Sequence, residues 1–161
     1  MMTFQASRNL PEQVADYLKD RIVRLKLLPG ERIIEKRVAE ETGVSQAPVR
    51  EALRIMERHY LVEILPRKGA RVTEMTHSML EWLFDVAFLL LPLVARRGIE
   101  NGQAQDIVDL RQALDVMEKC ARENDVVGHI YAIAEYASVS TLGTKNPFLL
   151  EMVNQLWPAT M

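Results

Sequence analysis

With a single cysteine, Cys120, among 161 residues, the chain cannot form an internal disulfide. That fits a reducing cytoplasm better than an exported scaffold held by crosslinks. Long apolar runs are also missing: the longest, Val86 to Ala95, is about half of what spans a bilayer. No apolar stretch follows Met1-Met2-Thr3-Phe4-Gln5, so no secretory signal is apparent, and a cytoplasmic protein without a membrane partner is expected. Nor is there a Gly-rich phosphate loop, a paired metal-ligand motif, or a nucleophile with a base nearby in sequence. The carboxylate pairs Asp106/Asp109 and Asp115/Glu118 read as a solvated helix face. These absences argue against an enzyme, and no cofactor is expected.

What remains is a soluble, mainly helical protein. The apolar fraction of 48% allows a buried core, and 26% charged residues suits solubility. The formal charge of −2 conceals an asymmetry, +3 over residues 1–76 and −5 over residues 77–161. A basic front and an acidic back suit a polyanion-binding domain joined to one that binds something else.

Pro11 opens a first helix, with Val14, Leu18, Ile22 and Leu25 at helical spacing, and Leu28-Pro29-Gly30 ends it. A short helix follows over Glu35–Glu41, with Val38 and Ala39 inward and Gly43 as its stop. Ser45 caps a third helix, which tolerates Pro48 in its first turn and turns Val49, Ala52, Leu53 and Met56 to the core. Residues 61–65 and 70–73 then read as two strands around the basic turn Pro66-Arg67-Lys68-Gly69. Three helices and a two-stranded hairpin is the order of a winged helix-turn-helix. From Ser78 only helix is expected, over Met79–Glu100, Gln103–Asn124, Asp125–Leu142 and Pro147–Leu156. The first of these is apolar on several sides and belongs in a core or a subunit interface. In the second, Ile107, Leu110, Leu114 and Met117 form the inward stripe.

The strongest signal lies between Glu35 and Leu53. A short helix, a glycine turn and a serine-started helix lay the second helix across the major groove of DNA. Gln46, Ala47 and Arg50 then face away from the core stripe. Arg50 can bind a guanine edge or a phosphate, Gln46 can read adenine, and Ala47 offers a methyl contact. The helix start at Ser45 attracts phosphate. Lys36 and Arg37 reach the backbone from the preceding helix, while Arg67, Lys68 and Arg71 carry the wing to a phosphate or the minor groove. Taken alone, Arg50 and Arg54 read as a solvated face paired to Glu51 and Glu57.

Residues 28–35, LPGERIIE, residues 43–53, GVSQAPVREAL, and the stretch Pro66-Arg67-Lys68-Gly69-Ala70-Arg71-Val72 resemble the GntR family of bacterial regulators over roughly residues 10–75. The resemblance implies operator contacts at Lys36, Gln46, Ala47, Arg50 and the wing tip. The family usually has arginine where Gln46 stands and often threonine where Ala47 stands, so a guanine-reading group is lost. The helical remainder is similar to the FCD domain of the FadR-like subfamily at Asp85-Val86, Pro92-Leu93-Val94-Ala95, Glu135-Tyr136 and Asn146-Pro147. That resemblance implies a divalent metal held by an acidic residue and three histidines. Here Ile133 and Ala137 fall at the first two positions, and the other two histidines belong to later helices that are lacking before Met161. Ala87 and Leu91 likewise replace the family's arginine and glutamate. The pocket is therefore expected to be metal-free, or degenerate and used for dimerisation, and a chain without the later helices must cover an apolar surface. His59, His77 and His129 read as surface or capping residues, and Cys120 as a packed free thiol.

The expected organisation is a winged helix over residues 1–76 and an incomplete FCD-like effector-binding or dimerisation domain over 77–161. The expected function is a homodimeric, ligand-responsive repressor on a palindromic double-stranded operator. The alternative is a dimerisation module with a degenerate effector pocket and weak or unregulated DNA binding.

Overall fold

Residues 9–66 and 69–156 are described by a computed structural model. The chain divides into two compact units, Met1–Met75 and Thr76–Met161.

In the first unit, α1 (Leu10–Val23) begins where the Asn9 side chain accepts the Glu12 backbone N–H at 3.0 Å, with Pro11 in the opening turn. Val14 and Leu18 are fully buried and Ile22 partly so, but Leu25 is not part of the stripe. It lies beyond the helix at φ +54° and is 66% exposed. The chain has already begun to turn there, so the helical period no longer governs which way the side chain points.

The helix ends at Val23 with Arg24 as its C-cap, so Leu28-Pro29-Gly30 does not stop it as expected; the chain has already turned at the left-handed Leu25. Pro29-Gly30 instead leads into a two-residue strand, β1 (Arg32–Ile33), too short for periodicity to reveal. Next come α2 (Glu35–Thr42), α3 (Gln46–Arg58), β2 (Val62–Leu65) and β3 (Gly69–Val72). The sheet is antiparallel in the order β1-β3-β2, with Arg32 opposite Arg71 and Val62 opposite Val72. The expected two-stranded wing is thus the outer part of a three-stranded sheet, and β3 starts at Gly69 and ends at Val72. Gly69 (φ +83°) and Gly43 (φ +73°) occupy left-handed backbone that side-chain-bearing residues disfavour. Val14, Leu18, Val49, Ala52, Leu53 and Met56 meet Ile33, Val62, Ala70 and Val72 in one core. Burying each large aliphatic side chain there contributes roughly 1.5–3 kcal/mol.

The second unit contains α4 (His77–Asn101), α5 (Ala104–Arg122), α6 (Val126–Leu142) and α7 (Pro147–Leu156). Packing is chiefly α5 on α6, with α7 and α4 against α6. Thr76, Asp125 and Asn146 cap α4, α6 and α7 through their side-chain oxygens. The Asp106 carboxylate takes the Gln103 N–H at 2.7 Å and the Lys145 ammonium at 2.9 Å. These bonds, together with charge on Lys145, hold its carboxyl below the usual range.

Two expectations about side-chain facing change here. In α5 it is Ala113 that is buried, whereas Ile107 and Leu114 are exposed, because α6 covers a face rotated from the apolar stripe. In α4 only Leu83 and Val94 are buried, and Trp82, Phe88 and Leu89 face outward. By length and composition α4 is also apolar enough to cross a membrane, which counting unbroken apolar residues did not show.

Candidate nucleic-acid interface

The left-handed Gly43 stops α2 and the extended Ser45 starts α3, so the two helices are joined by a tight turn. Ser45 occupies the cap position but makes no side-chain capping hydrogen bond, contrary to expectation. Pro48 has no N–H, and the N–H groups of Gln46 and Ala47 precede the first intrahelical donor. That leaves an electropositive helix end facing solvent.

Burial divides α3 sharply. Val49, Ala52, Leu53 and Met56 are each at most 2% exposed, while Ser45, Gln46, Ala47, Arg50 and Arg54 are exposed. The separation follows from helical spacing: an inward stripe at i, i+3, i+4 and i+7 leaves the first-turn polar residues outside. Between this face and the hairpin runs an open groove of about 300 Å³, lined by Glu35, Arg50, Leu53, Arg54, Ile64, Leu65, Pro66, Gly69 and Ala70. Gly69 therefore sits at the groove edge. Arg67 and Lys68 lie outside the described residues.

The cations of this face are held in local pairs. Arg50 Nε donates to Glu35 at 2.8 Å, and its Nη2 donates to the Gln46 amide oxygen at 3.4 Å. Arg54 pairs with Glu51 at 3.1 Å, as the reading of a solvated face has it, but Arg50 does not share that pattern. Glu57 instead accepts the Ile64 backbone N–H, fastening α3 to the edge strand β2. Lys36 stands 3.9 Å from Glu40, and Arg37 donates to Glu41 at 2.9 Å. Arg71 is bound to Glu63 across the hairpin at 2.8 Å. Exposed pairs of this kind are worth about 0–1 kcal/mol, so phosphate oxygens can displace the carboxylates at little cost.

Glu41 is the most heavily engaged acid of the face, since it also accepts from Tyr17 at 3.0 Å and Arg21 at 3.3 Å. Burial pushes its carboxyl up. Hydrogen bonds from Tyr17 and Arg37 and the charges of Arg21 and Arg37 outweigh that and hold it below its ordinary value. Glu41 thereby ties α1 to α2 behind the exposed face. Sequence reasoning missed the Glu35–Arg50 pair and the bonds of Glu41 to Tyr17 and Arg21 because those partners are distant in the chain, whereas the Arg37–Glu41 pair lies at readable i, i+4 spacing.

In the second unit, Ile133 and Ala137 are half-buried on α6, and neither side chain has a donor atom for a cation. No three His, Cys, Asp or Glu side chains are grouped to hold a metal ion among the described residues. His129 points its Nδ1 at the Met117 carbonyl at 3.1 Å, and His77 pairs with Glu81 at 3.4 Å. The residues present do not fit the metal that an FCD domain implies.

Comparison with known proteins bears on the family and the fold. The profile of bacterial regulatory proteins of the gntR family matches residues 10–72, and that of the FCD domain matches residues 82–161. The HTH-type transcriptional regulator McbR of Escherichia coli (strain K12) is 28% identical over 154 residues, covering 92% of this chain and 67% of McbR. The gluconate operon transcriptional repressor of Bacillus subtilis (strain 168) is 32% identical over 113 residues, covering 70% of this chain and 46% of the repressor. The chain thus spans between about half and two thirds of the length of these relatives. The solved structure of E. coli McbR superposes with a TM-score of 0.82 at 27% identity, covering 95% of this chain and 72% of that one. A GntR-type protein from Rhodococcus sp. RHA1 superposes with a TM-score of 0.74 at 23% identity, covering 92% and 70%, a likeness of fold.

Proposed function

We propose that this chain, which belongs to the GntR family of bacterial regulatory proteins and carries an FCD domain behind its winged helix, binds a palindromic operator as a cytoplasmic homodimer. Residues 1–76 form the DNA-binding domain, and residues 77–161 provide dimerisation and effector binding. Each protomer lays the start of α3 in a major groove, with Gln46, Ala47 and Arg50 toward base edges and the Ser45 end toward a phosphate. Lys36 and Arg37 hold the backbone on one side, and Arg67, Lys68 and Gly69 at the wing hold it on the other. A two-fold dimer meets two half-sites with matching symmetry.

The observation that carries this reading is the exposure of Gln46, Ala47 and Arg50 together beside an open groove, while the opposite face of the same helix is fully buried. Repression is the favoured direction because a relative bears the name of an operon repressor. The effector is a small molecule that binds the second unit without a metal, since Ile133 and Ala137 cannot ligate one. It acts by favouring one arrangement of the two DNA-binding heads.

Gel shifts with Arg50→Ala and Lys68→Ala test the DNA claim. Each change is expected to weaken binding, and Lys68→Ala to flatten the salt slope by about one. Binding that survives both with the slope unaltered overturns it. The mismatch with a metal site favours one second reading, a dimerisation module with a degenerate pocket. In that case random-oligonucleotide selection yields a stable dimer but no sequence preference.

A further inference from the structure

Arg50 and Gln46 are not independent readers in this structure. Glu35 opens α2, and its carboxylate holds Arg50 Nε at 2.8 Å across the turn between the two helices. Arg50 in turn donates from Nη2 to Gln46 Oε1 at 3.4 Å. The Glu35 side chain is 29% exposed and that of Arg50 58%, so the acid is the more fixed partner. A half-exposed pair of this kind contributes little to stability. Its effect is on direction.

We infer that Glu35 is a positioning residue for base reading, holding Arg50 end-on and, through it, turning the Gln46 amide so that its NH2 group faces the DNA. This rests on the operator-binding reading above. A guanidinium has five N–H donors in a rigid fork. With Nε given to Glu35 and one Nη2 hydrogen to Gln46, the Nη1 hydrogens and the second Nη2 hydrogen remain for a guanine O6/N7 edge or a phosphate. A glutamine that reads adenine must accept from N6 while donating to N7. Gln46 has its oxygen turned to Arg50, so it meets the base as a donor. It therefore selects an edge that offers acceptors, guanine O6/N7 or thymine O4, in place of the adenine that glutamine alone suggests. Glu35 also supplies an internal counter-charge to Arg50, which biases that side chain toward the base edge by no more than the little that an exposed pair is worth, without barring a phosphate.

The test is selection from a random duplex pool with the full-length protein, followed by titration of the selected site and its single-base variants. Wild type is expected to favour guanine or thymine at the base next to Gln46. Glu35→Ala is expected to admit adenine there, to lower discrimination about tenfold, and to steepen the salt slope by about one as Arg50 turns to phosphate. Glu35→Gln keeps an oxygen for Arg50 Nε and retains the preference. In an Arg50→Ala background, Glu35→Ala has no further effect on base choice. If Glu35→Ala does not fold, Glu35→Asp, whose carboxylate is set back by one methylene, gives the same relaxation. A wild type that selects adenine, or a Glu35→Ala protein with unchanged discrimination and slope, overturns this inference and leaves operator binding intact. A wild type that selects no sequence overturns operator binding itself.

Discussion

His59 closes α3 and is half-buried, with Nδ1 buried and without a hydrogen-bond partner. Burial first, and then the charges of Lys19 and Arg58, hold its pKa below the ordinary histidine value. The unfolded chain thus takes up this proton more readily than the folded one. The contribution to stability is complete above the unfolded pKa and is lost as pH falls through the folded one. Melting temperature should therefore decline as pH passes below the ordinary histidine range, and His59→Gln should flatten that decline. Equal slopes for both proteins would remove His59 as the cause. Its place at a helix end was readable from sequence. Its burial and the charge of Lys19 upon it were not, because both depend on packing between elements distant in the chain, Lys19 belonging to α1.

At the scale of elements, helix starts differ in how they are closed. Asn9 completes α1 by accepting the Glu12 N–H, whereas Ser45 makes no such bond at the head of α3. Asn9→Ala should cost about 1 kcal/mol of stability. Ser45→Ala should leave the melting temperature of the free protein nearly unchanged and weaken DNA binding. A drop in stability for Ser45→Ala equal to that of Asn9→Ala would show that Ser45 serves the fold rather than the ligand. The helices of both units, and the buried face of α3, were legible because a 3.6-residue period repeats over enough turns to be read. Strand β1 was not, since two residues carry no period and its partner Ala70 lies beyond two helices. For the same reason the Glu35–Arg50 pair was invisible, although both ends lie within the stretch that sequence motifs single out. In α5, amphipathicity was visible but pointed to the wrong covered side, because the facing of Ile107 and Leu114 depends on where α6 rests.

At the scale of the whole molecule, the outward apolar residues of α4 are too many to be ordinary surface. Trp82, Phe88 and Leu89 are 65%, 68% and 77% exposed, and Phe84 stacks on Phe88 with ring centroids 5.9 Å apart. Contiguous patches of this type mark association surfaces. With α4 in the proposed homodimer interface, sedimentation velocity should show wild type as a dimer. Phe88→Glu combined with Leu89→Glu should shift it toward monomer and weaken operator binding, with helix content retained. A double variant that sediments like wild type would exclude this face as the interface. The net +3 over residues 1–76 is modest for a DNA-binding domain, and much of the visible positive charge is paired internally. Affinity for random DNA is accordingly expected to be low, with base contacts carrying a larger share of recognition.

The short pairing of Ile33 with Ala70 has a mechanical consequence. Only Ile34 separates that rung from Glu35, so the hairpin and the carboxylate that aims Arg50 are linked by a nearly rigid lever. A flanking DNA shape that tilts the wing would be transmitted to the guanidinium, and penalties for altering the flank and the core of a half-site would then fail to add.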